Sequence, residues 1–132
     1  MDRRIKGFIL LMALSLVFLT ACQSEAEADA PAQAVVNYIQ ALVAKDAAQL
    51  SETVCKAWEE SALVELDGFT GVNIQTQDLS CATSGTDGAD QLVDCTGKIV
   101  ASYNGENQEF SVDRQTYRVT QEDGQWRMCG YK

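Results

Sequence analysis

Histidine is missing altogether from this 132-residue chain, and basic side chains are scarce: 10 Lys and Arg stand against 19 Asp and Glu. The first absence excludes Ser-His-Asp and Cys-His catalysis, and any zinc site that uses imidazole. The second excludes a nucleic-acid partner, because phosphate contacts need Lys and Arg and the net charge here is −9. Long apolar runs are also lacking. Gly7 to Leu19 spans 13 residues, short of the ~20 that a membrane-crossing helix needs. There is no Cys-x-x-Cys pair, so neither a zinc ribbon nor a thioredoxin-type redox centre is encoded. The length allows one domain.

The first 21 residues carry the pattern of a targeting segment. Arg3, Arg4 and Lys6 precede the apolar stretch, and Leu19-Thr20-Ala21-Cys22 closes it. This tetrapeptide resembles the bacterial lipobox. The resemblance implies that residues 1–21 are a lipoprotein signal peptide, cleaved before Cys22, whose thiol takes a diacylglycerol. Two or three acyl chains hold firmly, at ~0.8 kcal/mol per buried CH₂. The expected location is outside the cytoplasm, with Cys22 anchored by lipid in the bacterial cell membrane or outer membrane. The mature chain has 18 acids against 7 bases, and none of those bases lies between Lys56 and Lys98.

Residues 22–33 read as an acidic flexible tether and 34–132 as a single α+β domain. From Ala34, the residues Val35, Val36, Ile39, Leu42 and Val43 recur at helical spacing. Asp46 and Gln49 form a capping pair for a second helical segment carrying Leu50, Val54, Trp58 and Ala62 on one face, with Leu63 and Leu66 extending it, which ends before Asp67-Gly68. Low propensity at 51–53 allows a break there. Beyond Gly68 the period changes toward two, and four strands are expected over 71–82, 91–103, 108–120 and 125–131. Asn104-Gly105 and Asp123-Gly124 are hairpin turns. The architecture expected is N-terminal helices packed on a curved four-stranded antiparallel meander. In its third strand the apolar parity slips between Val112 and Tyr117, which predicts a β-bulge over 113–116.

Cys55, Cys81, Cys95 and Cys129 follow Cys22, and an even set in an exported chain argues for two disulfides. Three connectivities are open. Cys81 and Cys95 flank Gly88 symmetrically, which favours Cys81–Cys95 with Cys55–Cys129; Cys55–Cys95 with Cys81–Cys129 comes next. Strict alternation opposes the first choice, since it puts Cys129 on the face opposite Trp126 and Met128. Asp87, Asp90 and Asp94 lack EF-hand spacing and read as a solvated loop. Glu59, Glu60 and Glu65 read as the wet face of a helix, and Asp113 has no partner in view. No metal or cofactor is expected. Tyr38, Trp58, Phe69, Tyr103, Tyr117 and Trp126 are the candidates to line a pocket between helices and sheet, although core burial alone would account for them.

The opening helix, Val35-Val36-Asn37-Tyr38-Ile39-Gln40-Ala41-Leu42, followed by Asp46, and the closing Gly124-Gln125-Trp126-Arg127-Met128-Cys129-Gly130 resemble the nuclear-transport-factor-2-like, cystatin-like group. More narrowly they are similar to its small lipid-anchored bacterial members. The resemblance covers about 34–131 and implies a cone-shaped fold. Enzymes of that group carry Asp, Tyr or His inside the cone, and no such constellation is recognisable here, so no catalytic residue is carried over. The function expected is a non-catalytic envelope module that binds a small apolar ligand or a protein partner. The alternatives are an unusual or degenerate enzyme of the same group, and a structural or accessory lipoprotein without a ligand. A dry aromatic cavity favours the ligand, and a titratable cluster at a cavity bottom favours the enzyme. A filled core with an exposed apolar patch favours the protein partner.

Overall fold

The computed structural model describes residues 29–132. The signal peptide expected over 1–21, the lipidation site Cys22 and most of the tether lie outside the described residues. Three helices come first: α1 (Ala30–Ala44), α2 (Ala47–Thr53) and α3 (Glu59–Asp67). Five strands follow: β1 (Asn73–Asp87), β2 (Asp90–Tyr103), β3 (Glu106–Ser111), β4 (Tyr117–Glu122) and β5 (Gln125–Tyr131). The class is α+β, with an open antiparallel sheet.

The first helix starts earlier than the apolar periodicity suggests. Asp29 accepts a hydrogen bond from the Ala32 N–H at 3.2 Å, and Pro31 occupies the first turn, where its missing N–H costs least. The chain is therefore helical from Ala30, within the stretch expected to be tether. Asp29 also accepts from the Thr83 N–H at 2.9 Å and from the Thr83 hydroxyl at 2.5 Å, which clamps the helix start onto β1. At the other end Lys45 takes a left-handed conformation, and its ammonium donates to the Val72 carbonyl just before β1. So α1 lies antiparallel along β1. Asp46 caps α2 by accepting from the Gln49 N–H at 3.0 Å. The second helical segment is broken after Thr53, where Val54 bridges Met128 and the Cys55 N–H donates to the Met128 carbonyl at 2.9 Å.

The strand order is β1-β2-β4-β5, with β3 paired to β2 off that path. The third strand expected over 108–120 is thus two strands, which makes a four-stranded meander into a five-stranded sheet. Phe110 pairs with Ile99 and Tyr117 with Val93. Between them Val112–Arg114 forms a short 3₁₀ turn. That turn, rather than a single-residue bulge, absorbs the slip in parity, and it leaves Val112, Tyr117 and Val119 all buried. The first strand runs on to Asp87 because register shifts after Gln77 and Thr83 keep it paired with β2. At the first shift Gly97 has φ +106, and a Cβ there would lie 2.5 Å from the Asp78 carbonyl oxygen. Only glycine fits.

The core is the layer between α1 and the sheet. Val35, Tyr38, Ile39 and Leu42 pack with Leu50, Val54, Ala62, Val93, Tyr117, Val119 and Met128. Two disulfides staple it. Cys81 and Cys95 are direct partners across β1 and β2, and Cys55, in the link between α2 and α3, is joined to Cys129 of β5. The conflict raised by strict alternation disappears because β5 is irregular there. Tyr131 pairs with Tyr117 but Met128 with Val119, so Cys129-Gly130 oppose Arg118 alone. A disulfide contributes about 2–4 kcal/mol, a large addition for a core this small.

Candidate functional site

The third helix divides its residues between two tasks. Ala62 is fully buried, Leu66 packs on the core, and Phe69 follows half-buried against Phe110. Glu65 sits three residues after Ala62 and beside Leu66, so it points inward with these two. This corrects the reading of Glu65 as part of a wet face, although Glu60 is exposed as expected. The Glu65 Oε2 accepts from the Tyr38 hydroxyl at 2.5 Å and from the Tyr131 hydroxyl at 2.8 Å. The two hydroxyls are themselves 3.4 Å apart. Around this centre the Tyr131 ring meets Trp58 edge-on at 5.6 Å and Tyr117 at 5.4 Å.

Burial sets the chemistry of the cluster. Desolvation, reinforced by the neighbouring phenol and carboxylate, pushes the Tyr38 hydroxyl well above the usual phenol range. Burial does the same for Tyr131, and it pushes Tyr117 up to about 12. The phenols therefore stay protonated at neutral pH and act as donors. One carboxylate ties α1, α3 and β5 together through them. Sequence reasoning missed this role, although the signal was present: Glu65 sits three residues after Ala62 and beside Leu66, both on the inward side of α3.

The opposite face of α3 is uncovered. Leu63, expected on the inward face beside Ala62, instead turns outward because it follows Ala62 by one residue, about 100° round the helix; it and Val64 are 38% and 70% exposed, with exposed Glu60 and Asp67 on either side. Just past the helix, Phe69 meets Phe110 edge-on at 6.5 Å. Phe110 is 46% exposed and Tyr103 63%, both on the sheet face that carries Ile99 toward the core. The core ends below them, and every residue of β3 before Ser111 is exposed. Among the described residues the large exposed apolar side chains are thus Leu63 and Val64 on α3 and Tyr103 and Phe110 on the β2–β3 hairpin, with Phe69 against Phe110 linking the two elements.

The six aromatic residues expected to line one pocket are placed apart. Tyr38 and Tyr117 are buried in the core, Trp58 and Trp126 pack against it, Phe69 leans on Phe110, and Tyr103 is at the surface. Two hollows lie elsewhere and are open and polar. One, of about 420 Å³, is bordered by Asp78, Lys98, Glu109 and Arg114. The other, of about 250 Å³, is bordered by Asn73, Gln75, Ser102 and Asn107. The acids around the first hairpin are engaged with protein partners: Asp87 with Arg118 at 3.0 Å and Lys132 at 3.7 Å, Asp94 with the Thr116 hydroxyl at 2.7 Å. Asp113 accepts from the Ser111 hydroxyl. Among the described residues no three His, Cys, Asp or Glu side chains gather to hold a metal ion.

No known family model matches the chain, and no curated protein matches it either. Among solved structures, the fold is similar to the solution structure of a SEC-C motif containing protein from Rhodopseudomonas palustris. The two share 13% identity and a TM-score of 0.50, over 79% of this chain and 80% of that one. At that identity the likeness concerns the fold alone. It overturns the resemblance to nuclear-transport-factor-2-like lipoproteins, and nothing in it speaks for a signal peptide. An amphipathic helix and a Gly-initiated closing strand suggested that group, and both are devices that many α+β folds share. What the likeness supports is the α+β class with its open antiparallel sheet.

Proposed function

We propose that this chain is a non-catalytic binding module, held outside the cytoplasm by lipid on Cys22, that takes a protein partner over the apolar end formed by α3 and β3. The observation that carries this reading is an uncovered apolar surface, with Val64 and Tyr103 exposed by 70% and 63%. Single exposed apolar residues are ordinary on any protein. Several of them on α3 and on the β2–β3 hairpin, linked through Phe69 and Phe110, support an interaction surface. A small apolar ligand has less support, because the rings that would enclose it are either packed in the core or spread over the surface. An enzyme of unusual type would have to use Glu65 and its tyrosines, and neither of the two hollows reaches them.

The envelope location is drawn from Arg3, Arg4, Lys6 and the Leu19-to-Cys22 tetrapeptide. Cysteines closed in two disulfides suit an oxidising compartment. The tests separate the two parts of the proposal. Labelling with radioactive palmitate should be lost in Cys22→Ser, and label that persists refutes the anchor. A photo-crosslinking side chain placed at Val64 in intact cells should give a discrete adduct that Tyr103→Ser with Phe110→Ser weakens. An adduct equally strong from a distant site such as Gln125 refutes the docking surface.

A further inference from the structure

The chemistry of the uncovered surface narrows what can cover it. Glu60, Leu63, Val64 and Asp67 follow one another along the outward face of α3, so two apolar side chains sit between two carboxylates. Glu106, at the start of β3, adds an exposed acid beyond Tyr103. No Lys or Arg occurs between Lys56 and Lys98, a stretch that includes all of α3 and β1. At this end of α1 the Lys45 ammonium is held by the Val72 carbonyl.

Charge separates the occupants such a surface admits. A second copy of this chain would set the same carboxylates against each other, and an anionic membrane surface would repel them. A protein segment that carries Lys or Arg beside apolar side chains satisfies both parts of the surface. The path of the chain agrees. Residues 1–28 join the fold at Asp29, which is clamped to Thr83, and Thr83 pairs with Val93. About 33 Å of strand separates Val93 from Tyr103 at ~3.3 Å per residue. Tyr103 therefore lies at the far end of β2 from the point where the preceding chain enters.

We infer that the partner of the α3–β3 end is a basic protein segment, with Lys or Arg flanking apolar side chains; the inference rests on the docking reading above. The sample is the oxidised mature chain with Cys22→Ser, so that it carries no lipid and keeps both disulfides. Two helix-forming peptides serve as probes, one of leucine and lysine, the other with glutamate at every lysine position. Amide shift perturbation and calorimetry should show the lysine peptide binding at α3 and β3, about tenfold or more tighter than the glutamate peptide. Val64→Ser with Phe110→Ser should weaken it by a similar factor. Glu60→Lys with Asp67→Lys should weaken it more than Glu52→Lys on α2 does. Val64 and Phe110 are exposed, so the variants keep the fold, which their melting curves verify.

Loss of binding in Val64→Ser with Phe110→Ser, without preference for the lysine peptide, overturns the charge inference and leaves the docking surface standing. Lysine-peptide binding that ignores Val64 and Phe110, or that Glu52→Lys weakens as much as the α3 changes do, overturns both. So does the absence of any peptide binding. Self-association abolished by Val64→Ser, or binding to phosphatidylglycerol vesicles through the same residues, replaces the basic segment with one of the other occupants.

Discussion

Removing the Glu65 carboxylate tests the tie that orients α3. In Glu65→Ala, the hydroxyls of Tyr38 and Tyr131 lose their common acceptor. Hydrogen bonds to a charged group contribute about 1.5–3 kcal/mol each, but the two hydroxyls are 3.4 Å apart and can partner one another. One of the two losses is partly recovered, so the expected destabilisation is about 3 kcal/mol. For a domain of this size that lowers Tm by roughly 12–20 °C. Urea unfolding of the oxidised chain should show a lower midpoint at unchanged slope. Glu65→Gln, which keeps an acceptor oxygen without the charge, should lose about half as much. A double-mutant cycle between Glu65→Ala and Tyr131→Phe should return a coupling of about 1 kcal/mol or more. Additive losses, or a Glu65→Ala cost below about 0.5 kcal/mol, refute the carboxylate as the knot of this cluster.

Alkaline pH acts on the same place. Tyr38, Tyr117 and Tyr131 are all raised from 10.0 in the folded chain, so on raising the pH the unfolded chain ionises first. Their contribution is complete below pH 10.0 and drains away above it; melting temperatures that stay flat from there to about 12, where Tyr117 itself titrates, contradict the burial argument. On the acid side, the Thr83 hydroxyl holds Asp29 below its ordinary 3.8, so the clamp stabilises fully above that value and weakens as pH falls through the lower, folded one. Acid unfolding of Asp29→Asn should lose that portion of its pH dependence, and an unchanged acid limb refutes the clamp. Gly105→Ala meets only backbone strain at φ +82, with nothing within 4 Å, and should cost about 1–2 kcal/mol. Gly97→Ala adds a clash with the Asp78 carbonyl and should cost at least about 3 kcal/mol; equal losses in urea unfolding refute the close approach.

Periodicity made the elements legible where one face is apolar over a long stretch. It is clear in α1, in β2 and in the turns at Asn104-Gly105 and Asp123-Gly124, whose first residues take φ of 51 and 53. It served less well where two demands meet in one segment. The parity slip after Val112 was visible, but a bulge and a 3₁₀ turn solve it equally well on paper, and only the pairing of both halves with β2 decides. The clamp of Asp29 onto β1 was unreadable because its partner, Thr83, is 54 residues away. Glu65 was hidden by its chemistry. A carboxylate on a helix is normally solvated, and it turns inward here because tyrosines from α1 and β5 supply the hydrogen bonds that water would. The uncovered surface could not be read at all, since Phe110 and Tyr103 continue a core-facing alternation that the helices stop short of covering.

The 3₁₀ turn at Val112–Arg114 also partitions cooperativity. Both staples lie outside β3, which is held by its pairing to β2 and by a largely solvated ion pair between Lys98 and Glu109 at 2.8 Å. Amide protons of β3 should therefore exchange through a local opening of low free energy, while those of β4 wait for global unfolding. The same opening frees Phe110 and Phe69 without disturbing the Glu65 knot. An incoming segment then meets a rim that rearranges in microseconds to milliseconds on a base that stays rigid, and the ordering of that rim is part of what its affinity must overcome.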